Sequence, residues 1–252
     1  MLTMENLVKH YGKITAADHV DLTLRDGESM ILVGESGSGK TTIARIAAGM
    51  ELPEEGRVLL DGHPLAPSNR KRTFEDGVSI QYIFQDPYSA LEAGFTVRKT
   101  LEETARICRR HHREILPAEE ALRYVDPRLV EYMDRPVSEL SGGQRQKVCI
   151  ARALMPQPRI IIADESTSML DKQSGLDVFN LLNRIKKEKN ISILVILHDV
   201  DFSYDQWDQV AVMYQGKLVE QTAFSEFREK AEHPYSRRLL EAYDFFHQRA
   251  QA

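Results

Sequence analysis

The sequence predicts an α/β protein built on a mostly parallel sheet, and three observations carry that expectation. Short runs rich in Val, Ile and Leu recur along the chain: Met30 to Val33, Val58 to Leu60, Ile160 to Ala163, Ile191 to Leu197 and Val210 to Met213. Runs of this length and composition read as strands buried on both faces. Longer stretches between several of them carry helical spacing, the alternation that crossover helices require. Between Val97 and Pro136 the strands stop. There Arg109, Arg110, Arg113, Glu119 and Glu120 alternate with Ile107, Ile115, Leu122 and Val125, which marks an inserted helical subdomain.

Taken in order, the first strand runs into Gly34 to Thr41, GESGSGKT, which matches G-x-x-x-x-G-K-[ST] and is followed by a helical run, Thr41 to Gly49. In such a loop Gly37 and Gly39 let backbone N–H groups turn inward around phosphate oxygens. The helix N-terminus adds partial positive charge, Lys40 reaches the terminal phosphates, and the Thr41 hydroxyl can ligate Mg2+. Glu35, Ser36, Ser38 and Thr42 complete the candidate cradle, and the competing reading is a Gly-rich surface turn. Further on, RIIIADE (Arg159 to Glu165) sets Asp164 at the carboxyl end of a buried strand, where α/β sheets hold their ligands. Asp164 is thus a ligand for Mg2+ or the partner of one. Glu165, on the other side of an extended chain, can orient and polarise an attacking water. Alone, the pair reads equally well as solvated acids closing a strand.

LSGGQ, Leu140 to Gln144, offers a second anion-binding helix N-terminus through Ser141, Gly142, Gly143 and Gln144. One nucleotide rarely needs two of these unless another subunit is involved; otherwise Ser141 is an ordinary N-cap. After Lys217 the chain reads as helical again, with His233, Pro234 and Tyr235 breaking it before a final amphipathic segment. No internal repeat is visible, so the chain is expected to supply one nucleotide-binding unit.

Composition narrows the function classes. The 252 residues are 42% apolar, enough for a full core as one large domain or one domain with an insert. Lys and Arg number 33 against 38 Asp and Glu, and a net charge of −5 provides no broad positive field for nucleic acid or anionic lipid. Cys108 and Cys149 stand far apart, outside any Cys/His cluster, which argues against zinc, iron-sulfur and disulfide frameworks. The opening MLTMENLVKHYGK has no apolar signal core, and the apolar runs fall far short of the ~20 residues of a membrane helix. Any membrane contact is expected to go through a partner.

GESGSGKT, Gln85 in IFQDP, LSGGQ, Asp164 with Glu165, SMLD ending at Asp171, and His198 in ILHD occur in the order seen in ABC ATPase subunits, and the chain resembles that family from Tyr11 to His198. The resemblance implies a P-loop NTPase fold of the ABC ATPase type: a mostly parallel core sheet, an antiparallel β subdomain and an inserted α-helical subdomain. It implies one domain over 1–252, with the helical subdomain at about 90–140 and a C-terminal helical extension at about 222–252. It also implies a head-to-tail dimer in which the cradle of one subunit and the LSGGQ of the other enclose each ATP. By the same resemblance Tyr11 stacks on adenine, Gln85 senses Mg2+ and links to the transmembrane partner, His198 meets the γ-phosphate, and Asp171 couples the subunits. Three departures stand out. Ser166 replaces the usual Pro, Met169 the usual Ala, and Ala90 to Gly94 stand where close relatives tend to have S-L-N-P.

The leading expectation is an importer ATPase at the cytoplasmic face of the membrane, partnered by transmembrane permease subunits, a second ATPase subunit and, indirectly, an extracytoplasmic substrate-binding protein. An exporter subunit and a soluble ABC protein of DNA repair or translation are the competing classes. FQDPYSAL (Phe84 to Leu91) and HPYSRRLLEA (His233 to Ala242) resemble the oligopeptide, dipeptide and nickel importer ATPases. HPYS also reads simply as a helix start, with Leu239 and Leu240 facing the core. The lack of a cysteine after Cys149 tilts the expectation modestly toward shorter nickel or metal-chelate members.

Overall fold

The computed structural model describes residues 1–67, 71–198, 204 and 206–250, with side chains to residue 244. The chain forms two compact units, Met1–Arg72 with Ser192–Ala252, and Thr73–Ile191. The first unit opens with β1 (Leu2–Tyr11) and β2 (Ile14–Leu24), an antiparallel hairpin with Leu2 opposite Leu24 and Tyr11 opposite Ile14. Neither strand is visible in the sequence, because both are bulged. Leu2 and Met4 are buried on even positions, whereas after the register shift at Asn6, whose φ is 52°, the neighbours Leu7 and Val8 are both buried. On the partner strand, Val20, Leu22 and Leu24 are buried on even positions, whereas the neighbours Ala16 and Ala17 are both buried, with His19 at a φ of 53° between the two stretches. The bulges break the inward alternation, so the period-2 signal is erased.

β3 (Ser29–Val33) is buried along its whole length and leads through the glycine-rich turn into α1 (Lys40–Ala47). β4 (Glu55–Leu60) then returns to pair antiparallel with β1, and β5 (His63–Pro64) extends that sheet to the order β2-β1-β4-β5. This is the antiparallel β subdomain.

The second unit runs through α2 (Phe74–Ser79), β6 (Ile80–Ile83), α3 (Pro87–Ala90), α4 (Val97–Arg110) and α5 (Ala118–Val125). Two 3-10 turns follow, Pro127–Tyr132 and Val137–Glu139, then α6 (Gly142–Leu154), β7 (Ile160–Asp164) and α7 (Lys172–Lys189). β6 and β7 are parallel, with Ile80 opposite Ile160. The helical stretch between them forms as amphipathic spacing dictates: α4 buries Val97, Leu101, Ala105 and Cys108, while Ile107 stays exposed. Thr73, Asp86, Thr96, Ser141 and Asp171 each accept a backbone N–H at a helix start, at about 1 kcal/mol per cap.

The chain then re-enters the first unit as β8 (Ser192–Leu197), β9 (Gln209–Tyr214), β10 (Lys217–Ala223), α8 (Phe224–Lys230) and α9 (Pro234–Ala250). β3 lies parallel between β8 and β9, with Ile31 opposite both Val195 and Val210. Met30 to Val33, Ile193 to Ile196 and Val210 to Met213 are essentially inaccessible, and each large side chain there contributes about 1.5–3 kcal/mol of burial.

The reading of helix from Lys217 onward needs correction. Lys217–Ala223 is strand β10, antiparallel to β9, and helix begins only at Phe224, so Thr222 and Ala223 fall outside the C-terminal helical segment. An edge strand half-buried along its length has no apolar run to announce it. Pro234 does begin a helix, yet Leu239 and Leu240 are only half-buried; Tyr235 and Ser236 carry its buried start.

Candidate nucleotide-binding and catalytic site

The glycine-rich turn owes its shape to what lies behind it. A Cβ on Gly39, whose φ is 104°, would sit 1.9 Å from the Ala16 carbonyl oxygen; one on Gly34 would sit 2.1 Å from the Met213 carbonyl oxygen. Both obstacles are backbone, so no larger residue fits without moving a strand. α1 starts with neither a side-chain cap nor an acid in its first turn, which leaves its first N–H groups and positive dipole end for an anion. Lys40 is buried, and its ammonium donates to the carbonyls of Gly34 (2.6 Å) and Glu35 (2.9 Å), laying the charge along the loop. Glu35, Ser36 and Gly37 are exposed, Ser38 is buried, and Thr41 and Thr42 are half-buried. Tyr11 ends β1 at 45% exposure with the Lys9 ammonium 5.3 Å from its ring centre. His198 is exposed directly after β8; Asp199 lies outside the described residues.

The second unit holds the carboxylates. β7 delivers Asp164 buried at its carboxyl end, and the Tyr82 hydroxyl donates to Asp164 Oδ2 at 2.5 Å. Glu165 does not continue the extended chain as the sequence suggests. Its φ is 45°, so the backbone turns sharply at that residue, and the Ser168 N–H donates back to the Glu165 carbonyl at 3.0 Å. Glu165 is 7% exposed, and Gln85 Nε2 donates to its Oε2 at 2.6 Å. Two residues singled out separately in the sequence are thus joined. A non-glycine residue held in the left-handed region beside a buried carboxylate is the kind of strain found at functional sites.

LSGGQ is both cap and candidate site. Ser141 N–H donates to Gln144 Oε1 at 2.9 Å and Gln144 N–H to Ser141 Oγ at 3.3 Å, a full capping box. The two glycines are packed: a Cβ on Gly142 would lie 3.4 Å from the Tyr88 hydroxyl, and one on Gly143 would lie 3.3 Å from Ser174 Oγ. Ser174 in turn donates its hydroxyl and N–H to the carboxylate of Asp171, at 2.6 Å and 3.0 Å. Those two bonds hold the exposed Asp171 carboxyl below its ordinary pKa. The signature glycines and Asp171 therefore share one corner.

Tyr82, Tyr88 and Ser174 escaped the sequence reading. Only Ser174 left a signal, as the third residue after an Asp that opens a helix. Of the departures, Ser166 is buried with no hydrogen-bond partner for its hydroxyl among the described residues, and Met169 is exposed.

The model of the ABC transporter family matches residues 17–168. A putative oligopeptide transport ATP-binding protein of Bacillus subtilis (strain 168), YkfD, is 37% identical over 95% of this chain and 75% of its own length. The oligopeptide transport ATP-binding protein OppF of the same organism is 36% identical over 96% of this chain and 82% of its own. Among solved structures, a nucleotide-free ATP-binding cassette from an ABC transporter superposes with a TM-score of 0.78 at 26% identity, covering 96% of this chain and 98% of that one. A dimeric cassette in a post-hydrolysis state, bound to ADP and Pi, superposes with a TM-score of 0.72 at 27% identity, over 89% and 99%. The family match takes in the cradle, LSGGQ and both carboxylates, and it places this chain among the ATP-hydrolysing subunits of the ABC transporter family.

Proposed function

We propose that the chain powers a peptide importer, hydrolysing ATP in a head-to-tail dimer with a second cassette. The observation that carries the substrate class is the set of relatives named for oligopeptide or peptide transport that run across about 95% of the chain. None of those names supports the metal-chelate branch. Permease subunits and an extracytoplasmic binding protein supply specificity. The ATPase works from the cytoplasmic face, and among the described residues no helix is long and apolar enough to cross a membrane.

In this reading Gly34 to Thr42 cradle the phosphates, Lys40 neutralises the β and γ charge, and Tyr11 stacks on adenine. Glu165 orients a water and takes its proton as the oxygen attacks the γ-phosphorus; the bond to ADP breaks with its electron pair leaving on ADP. His198 holds the γ-phosphate, and Ser141 to Gln144 close over the partner's ATP with Asp171 coupling the two subunits. Thr41, Asp164 and Gln85 would offer the hard oxygens that Mg2+ prefers. Bound there, Mg2+ would offset phosphate charge.

Uptake in a deletion strain tests the substrate class. Loss of labelled di- or oligopeptide uptake, restored by the chain and not by Glu165→Gln, is expected. Intact peptide uptake with lost nickel-chelate uptake would move the chain to the other branch, and intact uptake of both would overturn the importer reading for this group.

A further inference from the structure

The HPYS segment has no role in the reading above, yet its side chains are locked in place. The His233 carbonyl accepts the Arg237 N–H (3.1 Å) and His233 Nδ1 accepts the Tyr235 N–H (3.2 Å), so this histidine is the N-cap of α9, with Pro234 in its first position. Ser236 is fully buried. The Tyr235 ring stacks on Tyr214, centroids 4.5 Å apart and planes 24° from parallel, and the His233 ring lies 6.0 Å from the same tyrosine. Glu220, on β10, accepts the N–H groups of Glu232 (3.0 Å) and His233 (3.4 Å). The motif is thus clamped onto the end of β9 and onto β10.

The turn between those two strands, Gln215 and Gly216, is hooked to the phosphate cradle. Gly216 N–H donates to the Ser38 carbonyl at 3.1 Å, and its own carbonyl accepts the Asp18 N–H at 2.8 Å. Lys217 pairs with Asp18 at 3.2 Å. The Met213 carbonyl, one residue before Tyr214, is the surface against which Gly34 is packed. The Ser38 carbonyl and the Gly39 N–H belong to one planar trans peptide and point in opposite directions. A carbonyl fixed toward the Gly216 turn therefore turns the Gly39 N–H away from it, and in the reading of the cradle as the phosphate site that N–H is a phosphate donor.

We propose that Tyr235, Tyr214 and Glu220 are positioning residues for ATP: the HPYS clamp fixes the β9–β10 turn, and the turn fixes the Ser38–Gly39 peptide of the cradle. This rests on the reading of Gly34 to Thr42 as the phosphate site. A residue that only holds the fold together would change thermal stability and the active fraction, lowering kcat at constant KM. A residue that aims a phosphate donor changes affinity.

The test measures the Kd of a fluorescent ATP analogue and the KM and kcat of ATP hydrolysis for the full chain, with Lys40→Ala as control. Tyr235→Ala should raise Kd and KM by about threefold to tenfold, the scale of one lost aromatic pair, with kcat within about twofold. Tyr235→Phe keeps the stack and should restore most of the affinity lost in Tyr235→Ala. Glu220→Gln should raise Kd by a smaller factor and serves if Tyr235→Ala does not fold. Unchanged Kd and KM in the folded variants, or a fall in kcat alone, with Lys40→Ala still weakening binding, would overturn this coupling. Unchanged binding in Lys40→Ala would instead overturn the cradle.

Discussion

Glu165→Gln isolates one property of a residue that otherwise does several things. Its side chain is almost wholly buried, its backbone sits at a φ of 45°, and it accepts a 2.6 Å hydrogen bond from Gln85. Glutamine has the same shape and χ angles, and its amide oxygen can keep the bond from Gln85. What it loses is the second carboxylate oxygen and the charge, which is the part able to take a proton from water. The structural cost is one charge-assisted bond made neutral, about 1 kcal/mol. The chemical cost is a general base, about 10²- to 10⁴-fold in rate. Phosphate release by the purified chain should therefore fall at least about 10²-fold while the nucleotide Kd moves less than about fivefold. ATP should then persist bound, and size-exclusion chromatography in ATP should show an accumulating dimer. Turnover within a factor of two of wild type would refute the assignment of Glu165 as the base. A parallel loss of ATP affinity would show that the change had disturbed the Gln85 bond instead.

Lys40→Ala removes the buried ammonium bonded along the cradle, and equilibrium titration should show ATP affinity down by at least about tenfold, as expected for one charge-assisted phosphate contact. Gly142→Asp places its Cβ 3.4 Å from the Tyr88 hydroxyl and 3.5 Å from Leu170, ordinary van der Waals contact, so the monomer should still bind one ATP while the ATP-dependent dimer disappears from light scattering. Asp126 accepts from Arg128 and from Lys147, and the Arg128 bond first, then Lys147, holds its carboxyl well below the usual range against the opposing effect of burial. Because the folded-state pKa is the depressed one, this stabilisation is present above the unfolded value near 4 and is lost as pH falls through the folded value. Asp126→Asn should lower the thermal midpoint at pH 7, by an amount equivalent to about 2 kcal/mol, and the gap to wild type should shrink on acidification below about pH 4; a gap that stays constant would rule out the charge as its cause.

What the sequence disclosed divides along a physical line. β3, β7, β8 and β9 are buried through their centres, so each carries an unbroken run of four or five apolar residues and stands out. The cradle and LSGGQ are legible because close backbone approach at Gly34 and Gly39, and packing at Gly142 and Gly143, fix residue type locally. The hairpin of β1 and β2 is hidden by the bulges at Asn6 and His19, which break the inward alternation in mid-strand. β6 is four residues long with Gln81 and Tyr82 in the middle, and only its pairing with β7 makes it a strand. The bond from Tyr82 to Asp164 spans 82 positions and the contact of Tyr88 with Gly142 is likewise tertiary, so neither tyrosine carried a local mark. Glu165 reads as the end of a strand because its left-handed φ follows from the turn after it and from its bond to Gln85, not from its own side chain.

The segment from Gln85 to Ala90 joins more of the second unit than any motif suggests. Gln85 donates to Glu165. Asp86 caps α3 by accepting the Tyr88 N–H at 2.8 Å, so the short helix is fixed one residue after that bond. Tyr88 then lies against Gly142 with the Arg145 guanidinium 4.2 Å over its ring, and the Ala90 carbonyl accepts from Arg152 at 2.9 Å. Arg145 and Arg152 both stand on α6, the helix that LSGGQ begins, and Arg145 also donates to the Leu140 carbonyl at 3.0 Å. Six consecutive residues are thus bonded at one end to the Glu165 carboxylate and at the other to α6. A displacement of this segment cannot reach one without loading the other, because the connection runs through short bonds and a capped helix with little slack. In the proposed importer, a load placed on the exposed rings of Phe84 and Tyr88 would reach Glu165 and the start of α6 together, and hydrolysis would then be coupled to closure of the dimer through this one segment.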